Sequence, residues 1–230
     1  MAHLSDLHLD AAGSAHTHRV QSALDALAQV RPRPQLLLIT GDLTQHGSPE
    51  EYELLRDLLG DCGRCALVPG NHDDAALVHR LFPDMSPPAG GMARLDIEDL
   101  SLLLADSCVA RQDHGELNRD LLQSMALELD RDPRPTVLAM HHPPVPAPVP
   151  AMEEMGLRQV SVFEECAARR AGLIAILAGH YHQAQFTALR SGCPVIVAPS
   201  VAPPLVPDFT ASSFRGEPRA PAGLLHFWNR

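Results

Sequence analysis

The sequence predicts an α/β protein whose strands are covered on both faces. Three observations predict it. Short runs of Leu, Ile, Val and Ala alternate with segments of helical spacing, the pattern of a parallel sheet flanked by helices. Five of these runs end directly in a carboxylate, amide or imidazole. The chain has 230 residues, 45% of them hydrophobic, enough for one large core. With no repeat and no low-complexity linker, residues 1–230 read as a single domain.

The elements follow in order. An apolar strand over 1–4 runs into Ser5-Asp6-Leu7-His8. A helix over 18–30 places Val20, Leu24, Leu27 and Val30 on one face. Strand 35–40 runs into Gly41-Asp42. Helix 49–59 begins with Ser48-Pro49-Glu50-Glu51, an N-cap serine, a first-turn proline and a glutamate that completes a capping box. Strand 65–69 runs into Gly70-Asn71-His72-Asp73, and helix 74–81 follows. Strands 93–97 and 100–105 precede helix 118–130. Strand 136–140 runs into His141-His142-Pro143. After helix 160–171, strand 173–178 runs into Gly179-His180-Tyr181-His182. Strands 184–189, 194–198 and 224–228 complete the set. Residues 143–150 and 201–221 hold five prolines each. Strand patterns resume after both, so they read as ordered loops.

In open α/β sheets ligands bind beyond the carboxyl ends of the strands. The five polar strand ends can therefore share one crevice. They bring together Asp6, His8, Asp42, Asn71, His141, His180 and His182. Oxygen and imidazole ligands without thiolate suit Mn, Fe, Zn or Co. Seven side chains exceed the needs of one ion, whereas two ions sharing a carboxylate would use them all. Such a pair clamps the oxygens of an in-line phosphoryl displacement, and a metal-held water supplies the nucleophile. Glycine precedes three of the five groups, where a tight backbone turn is expected.

Composition narrows the alternatives. The net charge is -10, which argues against a nucleic-acid polymer or an anionic membrane as partner. No apolar run reaches a bilayer-spanning length. No basic region precedes the first strand, so no secretory signal is read, although that strand looks clipped. Five scattered cysteines suit a reduced, cytoplasmic protein. Cys62-Gly63-Arg64-Cys65 lacks the second pair of a thiolate zinc site and reads as structural. His3 reads as a core residue or a neighbour of the site. His16 and His18 read as a solvated approach to the first helix. His142 is expected to orient its loop or touch substrate.

The order of the motifs carries a resemblance. Asp6-x-His8, Gly41-Asp42, Gly70-Asn71-His72-Asp73, His141-His142-Pro143-Pro144 and Gly179-His180-x-His182 resemble the calcineurin-like metallophosphoesterase superfamily over most of the chain. The resemblance implies a four-layer αββα sandwich of two mixed sheets flanked by helices, with a binuclear centre at the strand ends. Asp6, His8, Asp42 and His182 would hold one divalent or mixed-valence ion. Asp42, Asn71, His141 and His180 would hold the other, with Asp42 bridging. His72 would reach a phosphate or leaving-group oxygen without binding metal, so the implied catalytic residues are His72 and Asp42. His141-His142-Pro143-Pro144 and Gly115-Glu116-Leu117 are also similar to bacterial cyclic-nucleotide and glycerophosphodiester phosphodiesterases. The tail after Ser200 is shorter than that group's dimerising extension, which leaves a homodimer open.

Two divalent ions contribute +4, and Asp6, Asp42 and a hydroxide contribute -3. The remainder suits a small diester monoanion. A monoester dianion would call for more cations, yet the chain holds no lysine, and no arginine lies inside the motifs, with Arg19 and Arg80 among those flanking them. The alternatives are a phosphomonoesterase, a nucleotide or lipid pyrophosphatase, and a non-catalytic metal-stabilised interaction module. The loop 143–158, with Met152, Glu153, Glu154 and Met155, is expected to form a lid. Together with the irregular segment 200–221 it should choose the substrate.

Overall fold

The computed structural model describes residues 1–60, 63–167, 170–206, 208, 210, 213 and 215–228. Its first sheet has the order β10-β1-β2-β3, from β1 (Ala2–Leu4), β2 (Leu37–Thr40), β3 (Cys65–Val68) and β10 (Leu224–Leu225). β1, β2 and β3 are parallel, and β10 is antiparallel to β1. The second sheet has the order β4-β5-β6-β7-β9-β8. It comprises β4 (Met92–Ile97), β5 (Leu100–Ala105), β6 (Thr136–Ala139), β7 (Leu173–Ala178), β8 (Gln185–Ala188) and β9 (Pro194–Val197). The inner strands β5, β6, β7 and β9 are parallel, and the edge strands β4 and β8 are antiparallel.

The solid apolar runs have a simple cause. Leu37 and Ile39 pack outward against α1 (Ala15–Gln29), α2 (Pro49–Leu59) and α3 (Ala75–Leu81). Their neighbours Leu36 and Leu38 pack inward against Leu102, Leu104 and Val137 of the other sheet. That sheet buries Leu103, Leu138 and Ile176 against α4 (Arg119–Arg131) and α5 (Val160–Ala167). Alternate side chains thus serve two interfaces, so apolar residues are favoured on both faces of each strand. The result is helix, sheet, sheet, helix.

Most predicted elements appear within one or two residues of the expected bounds. α1 begins earlier, because Ser14 caps it by accepting from the Thr17 amide. His16 and His18 therefore lie inside the helix, not before it. The last strand stops at Leu225, and Phe227 and Trp228 are exposed. The 143–158 loop contains a 3-10 helix at Pro150–Met155. Cys62 and part of the expected end of the 160–171 helix lie outside the described residues, as do several positions of 200–221.

Candidate metal centre

All five strand ends converge. The loops after β1 and β2 run side by side, with the Asp6 amide donating to the Gly41 carbonyl at 3.0 Å and the His8 amide to the Asp42 carbonyl at 2.9 Å. In the second sheet the Gly179 amide donates to the His141 carbonyl at 3.0 Å. The two sheets meet where the His180 amide donates to both Asp6 carboxylate oxygens at 3.1 Å.

One group comprises Asp6, His8, Asp42 and His182, whose ligand atoms lie within 4.8 Å of one another. His8 Nδ1 bonds Gln45 Oε1, and His182 Nδ1 donates to the Pro203 carbonyl at 3.4 Å. Both rings therefore present Nε2 to the centre, the two nitrogens being 3.0 Å apart. His8 Nε2 lies 3.3 Å from Asp42 Oδ2, and His182 Nε2 lies 3.4 Å from Asp6 Oδ1. Lone pairs converge here without a proton to share, an array suited to a cation.

The second group is built the same way. His141 Nδ1 donates to the Thr40 carbonyl, leaving Nε2 at 3.1 Å from Asn71 Oδ1 and 3.4 Å from Asp42 Oδ1. His180 Nε2 donates to the Met155 carbonyl, leaving Nδ1 for the centre. Asp42 turns one oxygen to each group, as a bridging ligand would. His142 also lies close to His141 and His180, but its nitrogens are engaged. Its Nε2 donates to the Asp113 carbonyl, and its Nδ1 accepts from Ser107. It orients the 107–115 segment and has no lone pair left to offer. His72 donates from Nδ1 to the Gln45 carbonyl, so Nε2 is the nitrogen left for a substrate.

The electrostatics agree with this donor set. Burial pushes His8 down to about 4 and His180 down to about 3, so both stay neutral. Burial acts the same way on His141. There the Asp42 charge and hydrogen bond, Asp6 and the Thr40 carbonyl outweigh it and raise the pKa to about 9. The site thus retains a proton where it would take a metal. Because the pKa is raised, that proton is held below about pH 9 and must leave when an ion binds. Apparent affinity at this position is expected to rise about tenfold per pH unit up to pH 9 and then level off. Calorimetry in buffers of different ionisation heat reads the released proton, and a pH-independent affinity would remove His141 from the ligand set.

Local backbone geometry marks the same residues. Asp6, His8, Asp42, His180 and His182 all have φ between 45° and 71°. This left-handed region costs non-glycine residues on the order of 1 kcal/mol each. Gly41 shares it at φ 89°, and a Cβ there would lie 2.2 Å from His141 Nδ1. Gly179 has ordinary φ and is needed for close approach instead: its Cβ would lie 1.8 Å from Ser5 Oγ. Gly70 likewise lacks a positive φ, and its Cβ would lie 2.1 Å from the Asp42 amide nitrogen, so the expectation of tight turns at the motif glycines is corrected to close approach for both Gly70 and Gly179.

Two features escaped the sequence reading. Asp73 ties the loops together, accepting from the amides of Leu43, Thr44 and Gly70 and from the hydroxyls of Thr44 and Tyr52. Burial and the Asp42 charge push its pKa up to about 6 against the pull of those amides. Little in the local pattern signals this, because all its partners but the Gly70 amide come from two other segments, the loop after β2 and α2. The segments 143–158 and 200–221 also contribute packing and carbonyl contacts at the centre. Met152 is buried with Val149, Tyr181, Val197 and Leu205, and Met155 and Pro203 supply the carbonyls that hold His180 and His182. Among the described residues no helix is long and apolar enough to cross a membrane.

Comparison with known proteins supports the same reading. Residues 1–184 match the family model described as calcineurin-like phosphoesterase. The chain is 34% identical to a probable cyclic nucleotide phosphodiesterase of Synechococcus sp., over 80% of this chain and 73% of the relative. It is 30% identical to a glycerophosphodiester phosphodiesterase of Enterobacter lignolyticus, over 83% of this chain and 73% of the relative. A dimetal phosphatase from Danio rerio shares the fold, with a TM-score of 0.69 at 12% identity over 87% of each chain. With the family model spanning most of its length and the motifs gathered in one crevice, the chain belongs to the calcineurin-like phosphoesterase family of metal-dependent hydrolases.

Proposed function

We propose that the protein is a binuclear metal-dependent phosphodiesterase acting on a small diester, of the cyclic-nucleotide or glycerophosphodiester type. Asp6, His8, Asp42 and His182 would hold one ion, and Asp42, Asn71, His141 and His180 the other. The ions, when bound, supply an activated water and charge stabilisation for phosphoryl transfer. Relatives at about 30% identity named for these two substrate types support the reading.

The observation that carries the choice of a diester is the position of Arg19. Its guanidinium donates to the carbonyls of Val201, Ala202 and Arg219, so it is committed to the backbone. The chain has no lysine. A monoester dianion would meet little extra positive charge from side chains, whereas a monoanionic diester needs none. The His72 imidazole, held through Nδ1 by the Gln45 carbonyl, keeps Nε2 free beside the centre. Its Nε2 can hold a proton toward a leaving oxygen.

The test compares cyclic AMP, 2′,3′-cyclic nucleotides, glycerophosphodiesters and phosphomonoesters, each with and without chelator. Chelator-sensitive turnover of diesters with monoesters at least tenfold slower is expected. Faster monoester hydrolysis would replace the reading, and no turnover with any metal would mean a binding module. His72→Ala protein should keep its metals and lose roughly 10²–10⁴-fold of its rate on alkyl diesters. The loss should be much smaller for bis(p-nitrophenyl) phosphate, whose leaving group barely needs a proton. Equal losses would give His72 a positioning role only.

A further inference from the structure

The inner face of the first sheet is apolar except for one file of polar side chains. His3 pairs in register with Leu38 of the inter-sheet core and is fully buried. Its Nε2 lies 2.8 Å from Thr40 Oγ1, and its Nδ1 lies 3.1 Å from His226 Nε2. Thr40 Oγ1 donates to Ser5 Oγ at 3.0 Å, and Ser5 Oγ donates to the Thr40 carbonyl at 2.9 Å. That carbonyl also accepts from His141 Nδ1 at 2.8 Å. The file runs unbroken from a half-exposed residue at the far end of the sheet to a candidate ligand.

The protons can run in only one direction. A carbonyl accepts and never donates, so Ser5 gives its hydrogen to Thr40 O. The hydrogen between the two hydroxyls must then come from Thr40. Thr40 Oγ1 has lone pairs left for His3, so His3 Nε2 carries a hydrogen and His3 Nδ1 is an acceptor. His226 Nε2 must donate to it. Burial, then His226, lowers the His3 pKa well below the imidazole range. Burial, then the N-terminal amine, brings His226 to about 4. Both rings are neutral near pH 7, as this order requires.

Buried polar groups between sheets cost stability unless every one is satisfied. Apolar side chains fill the same layer on all sides, so packing alone does not account for a histidine here. We propose that His3 is a positioning residue for the metal centre: through Thr40 and Ser5 it holds the Thr40 carbonyl on His141 Nδ1, so that His141 presents Nε2 to its ion. The inference rests on the assignment of His141 as a ligand. Glycine at 179 is what lets the chain pass this close to the last link, because a Cβ there would lie 2.7 Å from the Thr40 carbonyl. His8 and His182 are held by Gln45 and Pro203 instead. The effect should therefore fall on one ion and spare the other.

Calorimetric titration of the metal-free full chain with Mn(II) tests this. Two binding events are expected, one of which His141→Ala abolishes. His3→Phe fills the same space without nitrogens and should weaken that event about tenfold, the lower end for partners of a ligand, leaving the other unchanged. His3→Gln, whose amide can still donate to Thr40, should recover most of the loss. His226→Phe, at the half-exposed end, should weaken the same event to a smaller degree, and it carries the test if His3→Phe fails to fold. Folded variants with both events unaltered, or with both weakened equally, overturn the inference while leaving the metal centre standing. A wild-type titration without an event sensitive to His141→Ala overturns the ligand assignment and this inference with it.

Discussion

Asp42→Ala protein is expected to lose metal from both positions at once, whereas Asn71→Ala should weaken one. Asp42 is the residue with an oxygen toward each group, Oδ2 toward His8 and Oδ1 toward His141. Removing it takes an anionic ligand from both ions and leaves imidazole lone pairs facing one another. Hydrolysis should fall by at least about 10³-fold, the equivalent of several kcal/mol of transition-state stabilisation. The fold should survive, because the Asp42 backbone bonds to His8 and not its side chain alone tie the loops. Elemental analysis decides the matter. Two full equivalents of metal in folded Asp42→Ala protein would defeat the bridging assignment.

Asp73→Ala is the second substitution with a large expected effect, and this one acts on the fold. Five donors from the β2 loop, the β3 loop and α2 lose their shared acceptor. Water can reach some of them, so the cost is about 3 kcal/mol rather than the full penalty of five orphaned groups. For a chain of this size that is roughly 6–12 °C in Tm. The released loops carry Asp42 and Asn71, so metal affinity should fall with stability. Asn at 73 keeps the shape but turns a donating amide toward donors, and should recover less than half of the loss. Scanning calorimetry of metal-free protein separates the two effects. A metal-free Tm within about 2 °C of wild type would show that Asp73 does not hold the loops together.

The residues legible from sequence were those whose signal is local. Apolar runs reveal strands that serve two interfaces, and Ser48-Pro49-Glu50-Glu51 reveals the start of α2, where the capping box forms as expected. The seven candidate ligands were legible because each follows such a run. What remained hidden depends on tertiary partners. Which nitrogen of each histidine faces the centre is decided by carbonyls of Thr40, Met155 and Pro203, far away in the chain. Asp73 sits within the quoted motif, but nothing nearby announces its five donors. The 224–228 strand was read too long because Phe227 and Trp228 are apolar, while the sheet offers pairing only as far as Leu225. Ser14 was overlooked as a cap because the apolar spacing of α1 begins several residues later.

The left-handed backbone at Asp6, His8, Asp42, His180 and His182 bears on how such a protein changes over generations. Glycine at any of these places would relax the local backbone, although at Asp6 and Asp42 it would also remove the carboxylates that hold the His180 and His72 amides. At His8 and His182 random drift therefore has a route that relaxes the backbone as it erases a ligand. A lineage without use for hydrolysis would meet no folding barrier on that route, in keeping with the general trade of stability against activity. The five side chains stand where the backbone by itself would favour glycine, so ligand placement and local relaxation pull in opposite directions at this centre.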